Sequence, residues 1–208
     1  MRSIIAVVQQ KGGVGKTTIA ISLAGELSRR GLRVDVIDAD PQKSALEWSA
    51  PGRLPFRVSE IAIQTGQAND WVKRIQAAPG RVTIIDTSPN EYAMGAAVAV
   101  AELVIVPCTA SGLDLAATEH AIDAINFVRS KRKHKVPILV VPNRVSLRTL
   151  EGQQITEELG KFGEIVAAPI AARLGYVRAF TKGDLPEGAA IAEEMAKLGA
   201  LVLTHLSS

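Results

Sequence analysis

The sequence has 208 residues, of which 47% are hydrophobic, 22% are charged and 4% are aromatic, and its formal net charge is +3. This length predicts one α/β domain spanning residues 1–208, and the small positive charge permits an anionic partner without requiring one. Because aromatic residues are scarce, the core must be built from aliphatic side chains. Such a core is typical of a parallel sheet that is covered by helices on both faces.

The cysteine content and the apolar runs restrict the class of protein further. Cys108 is the only cysteine, which excludes a disulfide framework and a paired-thiol metal site. We interpret Cys108 as a small buried residue at the end of a strand, in a reducing compartment. No apolar run reaches the roughly 18 residues of a membrane-spanning helix. We therefore expect a soluble, cytoplasmic protein that has no membrane partner.

Short apolar runs alternate with helical patterns along the whole chain. In the first half, the patterns predict in order a strand at Ile4–Val8, a helix at Lys16–Arg30, a strand at Val34–Ile37, a short helix at Ser44–Trp48, a strand at Phe56–Val58, a helix at Ala68–Ala78 and a strand at Val82–Ile85. In the second half, they predict a helix at Met94–Ala101, a strand at Leu103–Val106, a helix at Ala116–Ser130, a strand at Pro137–Val141, a further helix, a strand at Ile165–Ala168 and a helix at about Glu187–Leu206. This alternation predicts an α/β fold with a mostly parallel, twisted sheet flanked by helices on both faces.

A glycine-rich segment lies between the first predicted strand and the first predicted helix. Its sequence is Lys11-Gly12-Gly13-Val14-Gly15-Lys16-Thr17-Thr18. Glycines allow backbone N–H groups to surround a phosphate, and the N-terminus of the following helix adds partial positive charge. In such a loop Lys16 would reach the β- and γ-phosphates, the Thr17 hydroxyl would bind Mg²⁺, and Thr18 would lie near the α-phosphate. The usual pattern G-x-x-x-x-G-K-[ST] has Gly at position 10, where this sequence has Gln10.

This loop resembles the deviant Walker A motif of the ParA/MinD family of ATPases, including the additional signature lysine, which is Lys11 here. The resemblance implies a P-loop fold of the SIMIBI type, ATP and Mg²⁺ as cofactors, and a nucleotide-dependent homodimer in which each signature lysine reaches the partner's nucleotide. Lys11 would then act on the γ-phosphate across the dimer, as an arginine finger does in other enzymes.

Carboxylates follow two of the predicted strands. The run Asp38-Ala39-Asp40-Pro41-Gln42 is similar to the family's switch I motif, which implies that Asp40 orients the attacking water and that Asp38 supports the magnesium site. Asp86 ends an apolar strand and is a Walker B candidate that would hold Mg²⁺ through water. The following Thr87-Ser88-Pro89 departs from the family's usual Asp-x-Pro-Pro. An aspartate that only caps a turn remains the alternative interpretation for Asp38.

Two further stretches resemble family motifs. The segment from Pro107 to Asp114 is similar to a stretch that lies at the family's dimer face near the switches. Asn143 follows a later strand, at a place where the family has an asparagine that contacts the adenine edge. The alternative for Asn143 is a turn-forming residue.

Basic residues are candidates for contacts with DNA, because many family members bind DNA non-specifically as ATP dimers. The candidates are Arg129, Lys131, Arg132, Lys133, Arg144, Arg173 and Arg178. A solvated helix terminus is the alternative for the first four, since cations suit the C-terminal end of a helix. Two copies in a dimer would double a weak patch and make DNA binding steeply dependent on salt.

The resemblance implies a nucleoid-associated ATPase that positions a cargo such as a plasmid, a chromosome region or a protein assembly, with hydrolysis triggered by a ParB-like or cargo-adaptor protein. No DNA-binding module precedes the loop in this sequence, so the likeness is to the short partition ATPases. A metabolic P-loop enzyme of the dethiobiotin-synthetase type is the alternative, although Lys11 and the Asp38 to Gln42 run are not expected there. A nitrogenase-iron-protein relative is excluded, because it needs two cluster-ligating cysteines in each subunit.

Overall fold

One parallel sheet organises residues 2–206, which are the residues that the computed structural model describes. Its strands are β1 (Ser3–Val7), β2 (Val34–Ala39), β3 (Arg57–Glu60), β4 (Val82–Thr87), β5 (Leu103–Cys108), β6 (Ile138–Pro142) and β7 (Ile165–Val166). The helices are α1 (Lys16–Arg29), α2 (Ser44–Ser49), α3 (Ala68–Gln76), α4 (Glu91–Val100), α5 (Gly112–Arg129), α6 (Leu150–Gly160), α7 (Leu174–Lys182) and α8 (Ala189–Leu206).

The strand order across the sheet is β3-β2-β4-β1-β5-β6-β7, and every neighbouring pair is parallel. The predicted α/β fold class is therefore confirmed. Since the strands are parallel, all their carboxyl ends meet at one edge of the sheet, and the loops that follow them lie side by side there. We call this edge the carboxyl edge and the opposite one the amino edge.

Two hydrophobic clusters cover the two faces of the sheet. Alternate residues of β1 supply both clusters, because successive side chains of a strand point to opposite faces: Ile4 and Ala6 face α3, α4, α5 and α6, whereas Ile5 and Val7 face α1, α2, α7 and α8. Aliphatic residues dominate both clusters, as the composition predicts. Cys108 is fully buried at the end of β5, which confirms its interpretation as a core residue.

Helix α8 packs one face against the core. Ile191, Met195, Leu198 and Val202 form its buried stripe, and its contacts are mainly with α1. Within residues 2–206, no helix combines the length and the apolar character that crossing a membrane requires.

Both outer strands of the sheet are short. Strand β3 has four residues, of which Arg57 and Glu60 are exposed, and β7 has two. The central strands have five or six residues and are almost entirely buried. The stable part of the sheet is therefore its centre, which is also the part from which the glycine-rich loop emerges.

The main difference from the predicted elements is α7, which the sequence patterns did not predict. Leu174, Val177 and Phe180 recur at a helical spacing on this helix, but all three are exposed. This spacing is an amphipathic signal that the sequence prediction did not use, because the exposed stripe does not face the core. The remaining predicted strands and helices exist, with bounds that differ by one to four residues.

Candidate nucleotide site

The glycine-rich loop lies at the carboxyl edge, between β1 and α1. Gly13 and Gly15 have φ angles of 78° and 94°, a conformation that other residue types rarely adopt. A β-carbon added at Gly15 would also lie 2.3 Å from Nδ2 of Asn143. In contrast, β-carbons at Gly12 and Gly13 would meet nothing within 4 Å, because this side of the loop faces an open cleft. The loop is therefore packed against Asn143 on one side and open to the cleft on the other, as phosphate binding requires.

Lys16 begins α1 and points back into the loop. Its ammonium donates a hydrogen bond to the Lys11 carbonyl at 3.3 Å, and the residue is buried. Burial lowers the pKa of Lys16, although Asp86 and Asp40 oppose this shift. A buried cation that has only a carbonyl as its direct partner is poorly compensated, so an anion in the loop would improve its environment.

Asp86 at the end of β4 fits the predicted magnesium site. Its Oδ2 accepts a hydrogen bond from the Thr17 hydroxyl at 2.6 Å. Its Oδ1 is buried and has no hydrogen-bond partner among residues 2–206. Burial raises the pKa of Asp86 to about 7, with Thr17 opposing the shift and Asp38 adding to it. An unsatisfied carboxylate oxygen beside a hydroxyl is a donor set that suits a hard cation such as Mg²⁺.

Asp38 and Asp40 occupy different environments after β2. Asp38 is fully buried, and its two oxygens accept backbone N–H groups from Asp40 at 3.1 Å and from Leu46 at 2.9 Å. Burial also raises its pKa, while these hydrogen bonds oppose the shift. Asp40 is half-buried and borders the cleft with Lys16 and Thr17. In this structure Asp38 therefore holds the segment that carries Asp40, whereas Asp40 has access to the cleft.

Asn143 and Arg144 hold the back of the loop. Asn143 Nδ2 donates to the Val14 carbonyl at 2.7 Å, and a guanidinium nitrogen of Arg144 donates to the Gly13 carbonyl at 2.8 Å. Arg144 has a φ of 54°, which places its side chain over the loop at a conformational cost. The predicted contact of Asn143 with a base stays a prediction, because its amide nitrogen is engaged by the loop here.

Lys11 forms an ion pair with Asp114 of its own chain, at the start of α5. The Thr109 and Ser111 hydroxyls also donate to Asp114. Burial acts to raise the pKa of Asp114, but the hydrogen bonds from Lys11, Thr109 and Ser111 outweigh it and lower the pKa. Lys11 keeps 37% of its side-chain surface exposed. The segment from Pro107 to Asp114 thus contacts the signature lysine directly.

The cleft in front of the loop has a volume of about 850 Å³. Its far wall is formed by α2 and α7, which contribute Trp48, Tyr176 and Phe180. The rings of Trp48 and Phe180 meet edge to face, with their centroids 5.4 Å apart. Sequence reasoning missed this wall because it missed α7. The exposed apolar residues of α7 at helical spacing were the available signal.

The candidate DNA contacts do not form one group. Arg129 forms an ion pair with Glu164, and only 12% of its side chain is exposed, so it offers little surface to a phosphate; its contact with DNA stays a prediction. Arg132 donates to the Val98 and Ala101 carbonyls at the end of α4, where it acts as a helix cap, and its contact with DNA also stays a prediction. Arg173 pairs with Glu194. Lys131 and Lys133 are exposed at the amino edge, whereas Arg144 and Arg178 are exposed on the side of the cleft and α7.

A parallel sheet, a glycine-rich loop at its carboxyl edge, a lysine and a threonine that begin the next helix, and an aspartate at the end of the neighbouring strand define the P-loop nucleoside triphosphatases. The family model "CobQ/CobB/MinD/ParA nucleotide binding domain" matches residues 5–186. The chain therefore belongs to this family, as a P-loop ATPase of the ParA/MinD type.

Similar proteins agree with this assignment. The chain is 28% identical to Protein ParA of Rhizobium radiobacter, over 86% of this chain and 83% of that protein. It is 31% identical to Maintenance of carboxysome distribution protein A of Gloeobacter kilaueensis, over 76% of this chain and 72% of that protein. The fold is also that of cobyrinic acid a,c-diamide synthase from Mycobacterium smegmatis, solved with an ATP analogue and magnesium (TM-score 0.79, 20% identity, 100% of this chain and 96% of that one).

The buried carboxylate of Asp86 predicts a specific pH dependence of stability. A folded-state pKa of about 7 lies above the value in the unfolded chain. The folded state therefore binds more protons between about pH 4 and pH 7, and its free energy of unfolding falls as the pH rises through this window. The substitution Asp86→Asn removes the titrating group, so the free energy of unfolding of this variant, measured without nucleotide, should not fall in this window.

The difference in free energy of unfolding, variant minus wild type, should therefore increase by a few kcal/mol from pH 5 to pH 8. Denaturant titrations at both pH values measure it, and a difference that is flat with pH would contradict the prediction.

Proposed function

We propose that this ATPase is a nucleotide-controlled switch that forms an ATP-sandwich homodimer, binds DNA non-specifically and positions a cargo. In this proposal a partner protein stimulates hydrolysis and so returns the dimer to monomers. The observation that carries the proposal is Lys11. It lies at the start of the phosphate loop, is partly exposed, and is held by Asp114 in the absence of a second copy. A partly exposed lysine at this place supports action on the nucleotide of a second copy.

The distribution of exposed apolar side chains supports a second copy at the carboxyl edge. These residues follow the carboxyl ends of the strands or line the cleft there: Tyr92, Leu113, Leu147, Leu150, Leu174, Val177 and Phe180. Soluble proteins rarely leave so many large apolar groups around one site unless another surface covers them. A dimer that joins two carboxyl edges would cover these side chains and would bring each Lys11 towards the partner's nucleotide.

The named relatives support the class of cargo. One is named a ParA protein and another is named for maintenance of carboxysome distribution. We propose a cargo of this kind, a plasmid, a chromosome region or a protein assembly, with a ParB-like or cargo-adaptor protein as the activator. In this proposal the ATP dimer binds to the DNA of the nucleoid, in the cytoplasm, and moves its cargo relative to that DNA.

The roles of the site residues follow from their positions. We propose that Lys16 and the backbone of Gly12 to Thr18 hold the phosphates, that Thr17 and Asp86 hold Mg²⁺ with support from Asp38, and that Asn143 contacts the base. Asp40, with its access to the cleft, would orient the attacking water. Bound Mg²⁺ would neutralise part of the negative charge of the phosphates.

A metabolic enzyme of the same family remains the second candidate. The fold alone does not separate the two, since cobyrinic acid a,c-diamide synthase shares it. The cleft wall built from Trp48, Tyr176 and Phe180 would then bind a second substrate. A chain that stays monomeric with ATP, Mg²⁺ and DNA would favour this candidate.

The two lysines of the loop should separate nucleotide binding from dimer function. Lys16→Ala should weaken ATP binding by about 100-fold, because a charge-assisted contact to the phosphates is lost. Lys11→Ala should retain ATP binding within a few fold, yet lose at least about 100-fold in stimulated hydrolysis, since its action is across the dimer. Fluorescent-nucleotide titration and phosphate release measure the two quantities. Unchanged hydrolysis in Lys11→Ala would contradict the dimer mechanism.

Asp40→Ala should bind ATP but hydrolyse it about 100-fold more slowly, because the attacking water is no longer oriented. The variant should therefore accumulate as an ATP dimer that retains DNA at low salt and releases it at moderate salt. Size-exclusion chromatography with light scattering, followed by a DNA retention assay, measures both properties. Glu47→Ala, an exposed carboxylate on α2, is the matched control and should behave as the wild type. A monomeric Asp40→Ala with ATP would rule out the sandwich dimer.

A further inference from the structure

The amino edge of the sheet carries a row of arginines that no predicted motif includes. Arg2, Arg81 and Arg33 directly precede β1, β4 and β2, which are neighbouring strands. Their backbones lie side by side: the Ser3 N–H donates to the Arg81 carbonyl at 2.9 Å, and the Arg81 N–H donates to the Arg33 carbonyl at 2.8 Å. Neighbouring strands are about 4.8 Å apart, so the row extends over about 10 Å. We call these three residues the arginine row.

The side chains of this edge are exposed and mostly unpaired. Arg33 and Arg81 make no side-chain hydrogen bond or ion pair with any residue from 2 to 206, and the same is true of Arg57 and Arg74 beside them. Arg2 donates one hydrogen bond, to the Gln76 carbonyl at the end of α3. Unpaired guanidinium groups at this density repel one another, so an anionic partner would stabilise them.

The acidic residues near the row are already engaged. Asp35 is buried and accepts the Gly80 N–H, and Glu102 accepts the Ile4 N–H at 2.5 Å. Glu26 is buried and pairs with Arg29 and Arg30. Beyond Glu102, the exposed Lys131 and Lys133 continue the positive surface along the same edge.

The helix dipole does not account for the row. Cations are favourable in the last turn of a helix, where they neutralise unpaired carbonyls. Arg33 and Arg81 lie instead in the loops that follow Gly31 and Gly80, and neither side chain contacts a carbonyl. Neither a helix dipole nor a carbonyl contact therefore explains why arginines occupy these two positions.

The chemistry of this edge favours a nucleic-acid backbone over a protein or a membrane. Protein interfaces and membrane-bound helices need apolar anchors. Among the described residues, Phe127 is the one large exposed apolar side chain towards this edge, and the Lys131 ammonium lies over its ring at 4.0 Å. Each strand of duplex DNA presents one phosphate per about 3.4 Å of the helix axis, so a 10 Å row spans about three phosphates of one strand. Arginine also binds phosphate oxygens in a bidentate manner.

We propose that the arginine row, extended by Lys131 and Lys133, is the surface through which this ATPase holds the DNA backbone. The proposal rests on the non-specific DNA binding proposed above and assigns a site to it. The row lies about 17 Å from the phosphate loop, the length of five strand residues. In a dimer joined at its carboxyl edges, the two rows face outward at opposite ends. Each ATP dimer then contacts two separate stretches of DNA, and dimerisation increases retention through avidity.

The test compares two double variants that remove the same charge. One is Arg33→Gln with Arg81→Gln. The control is Lys43→Gln with Arg148→Gln, two exposed cations in the loops that follow β2 and β6, at the opposite, carboxyl edge. Binding of a random-sequence duplex of about 60 base pairs is measured by fluorescence anisotropy with Mg²⁺ and a non-hydrolysable ATP analogue, between 50 and 200 mM salt. Thermal unfolding and nucleotide titration check that each variant is folded.

The arginine variant should bind DNA about tenfold more weakly at 50 mM salt, and the slope of log affinity against log salt should fall in magnitude by about two, one for each lost phosphate contact. The control should keep the slope of the wild type. Equal effects of the two variants, or an arginine variant that binds as the wild type does, would overturn the inference and leave DNA binding itself in place. A wild-type protein that does not bind DNA would overturn the proposed function as well.

Discussion

The nucleotide site at the carboxyl edge depends on the register between three central strands. Val7, Asp86 and Asp38 are aligned partners on β1, β4 and β2, so the phosphate loop and two carboxylates leave the sheet at one level. The hydrogen bond from Thr17 to Asp86 then ties the first turn of α1 to the end of β4. A shift of one residue in either pairing would point the carboxylate to the other face of the sheet. The buried core on both faces prevents such a shift.

The same parallel arrangement places the site carboxylates and the arginine row at opposite edges of the sheet. The carboxylates of Asp38 and Asp86 lie where their strands end, next to the phosphate loop. Unpaired arginines collect where the strands begin. The nucleotide site and the proposed DNA surface would therefore use different groups at opposite edges of one sheet.

The fold and the phosphate site could be predicted from the sequence because both depend on local patterns. Buried strands show as short aliphatic runs, and the loop from Lys11 to Thr18 shows its chemistry in its composition. Helix α7 was missed although its apolar residues recur at a helical spacing; that they face a cleft and not the core depends on the tertiary structure. The engagement of Arg129 by Glu164, 35 residues away, depends on tertiary contacts that no local pattern contains. The arginine row was missed for the same reason: its members are 31 to 79 residues apart in sequence, and only the strand order brings Arg2, Arg33 and Arg81 together.

The short outer strands have a consequence for behaviour at high local concentration. An unpaired strand edge is a template on which further chains can add, and the risk grows with its length. Strand β7 offers two residues for such pairing, and β3 offers four that include the exposed charges of Arg57 and Glu60. Molecules crowded together on a shared surface are therefore poorly able to extend one another's sheets. At high local concentration the molecules should therefore remain separate and should not form fibres by strand addition.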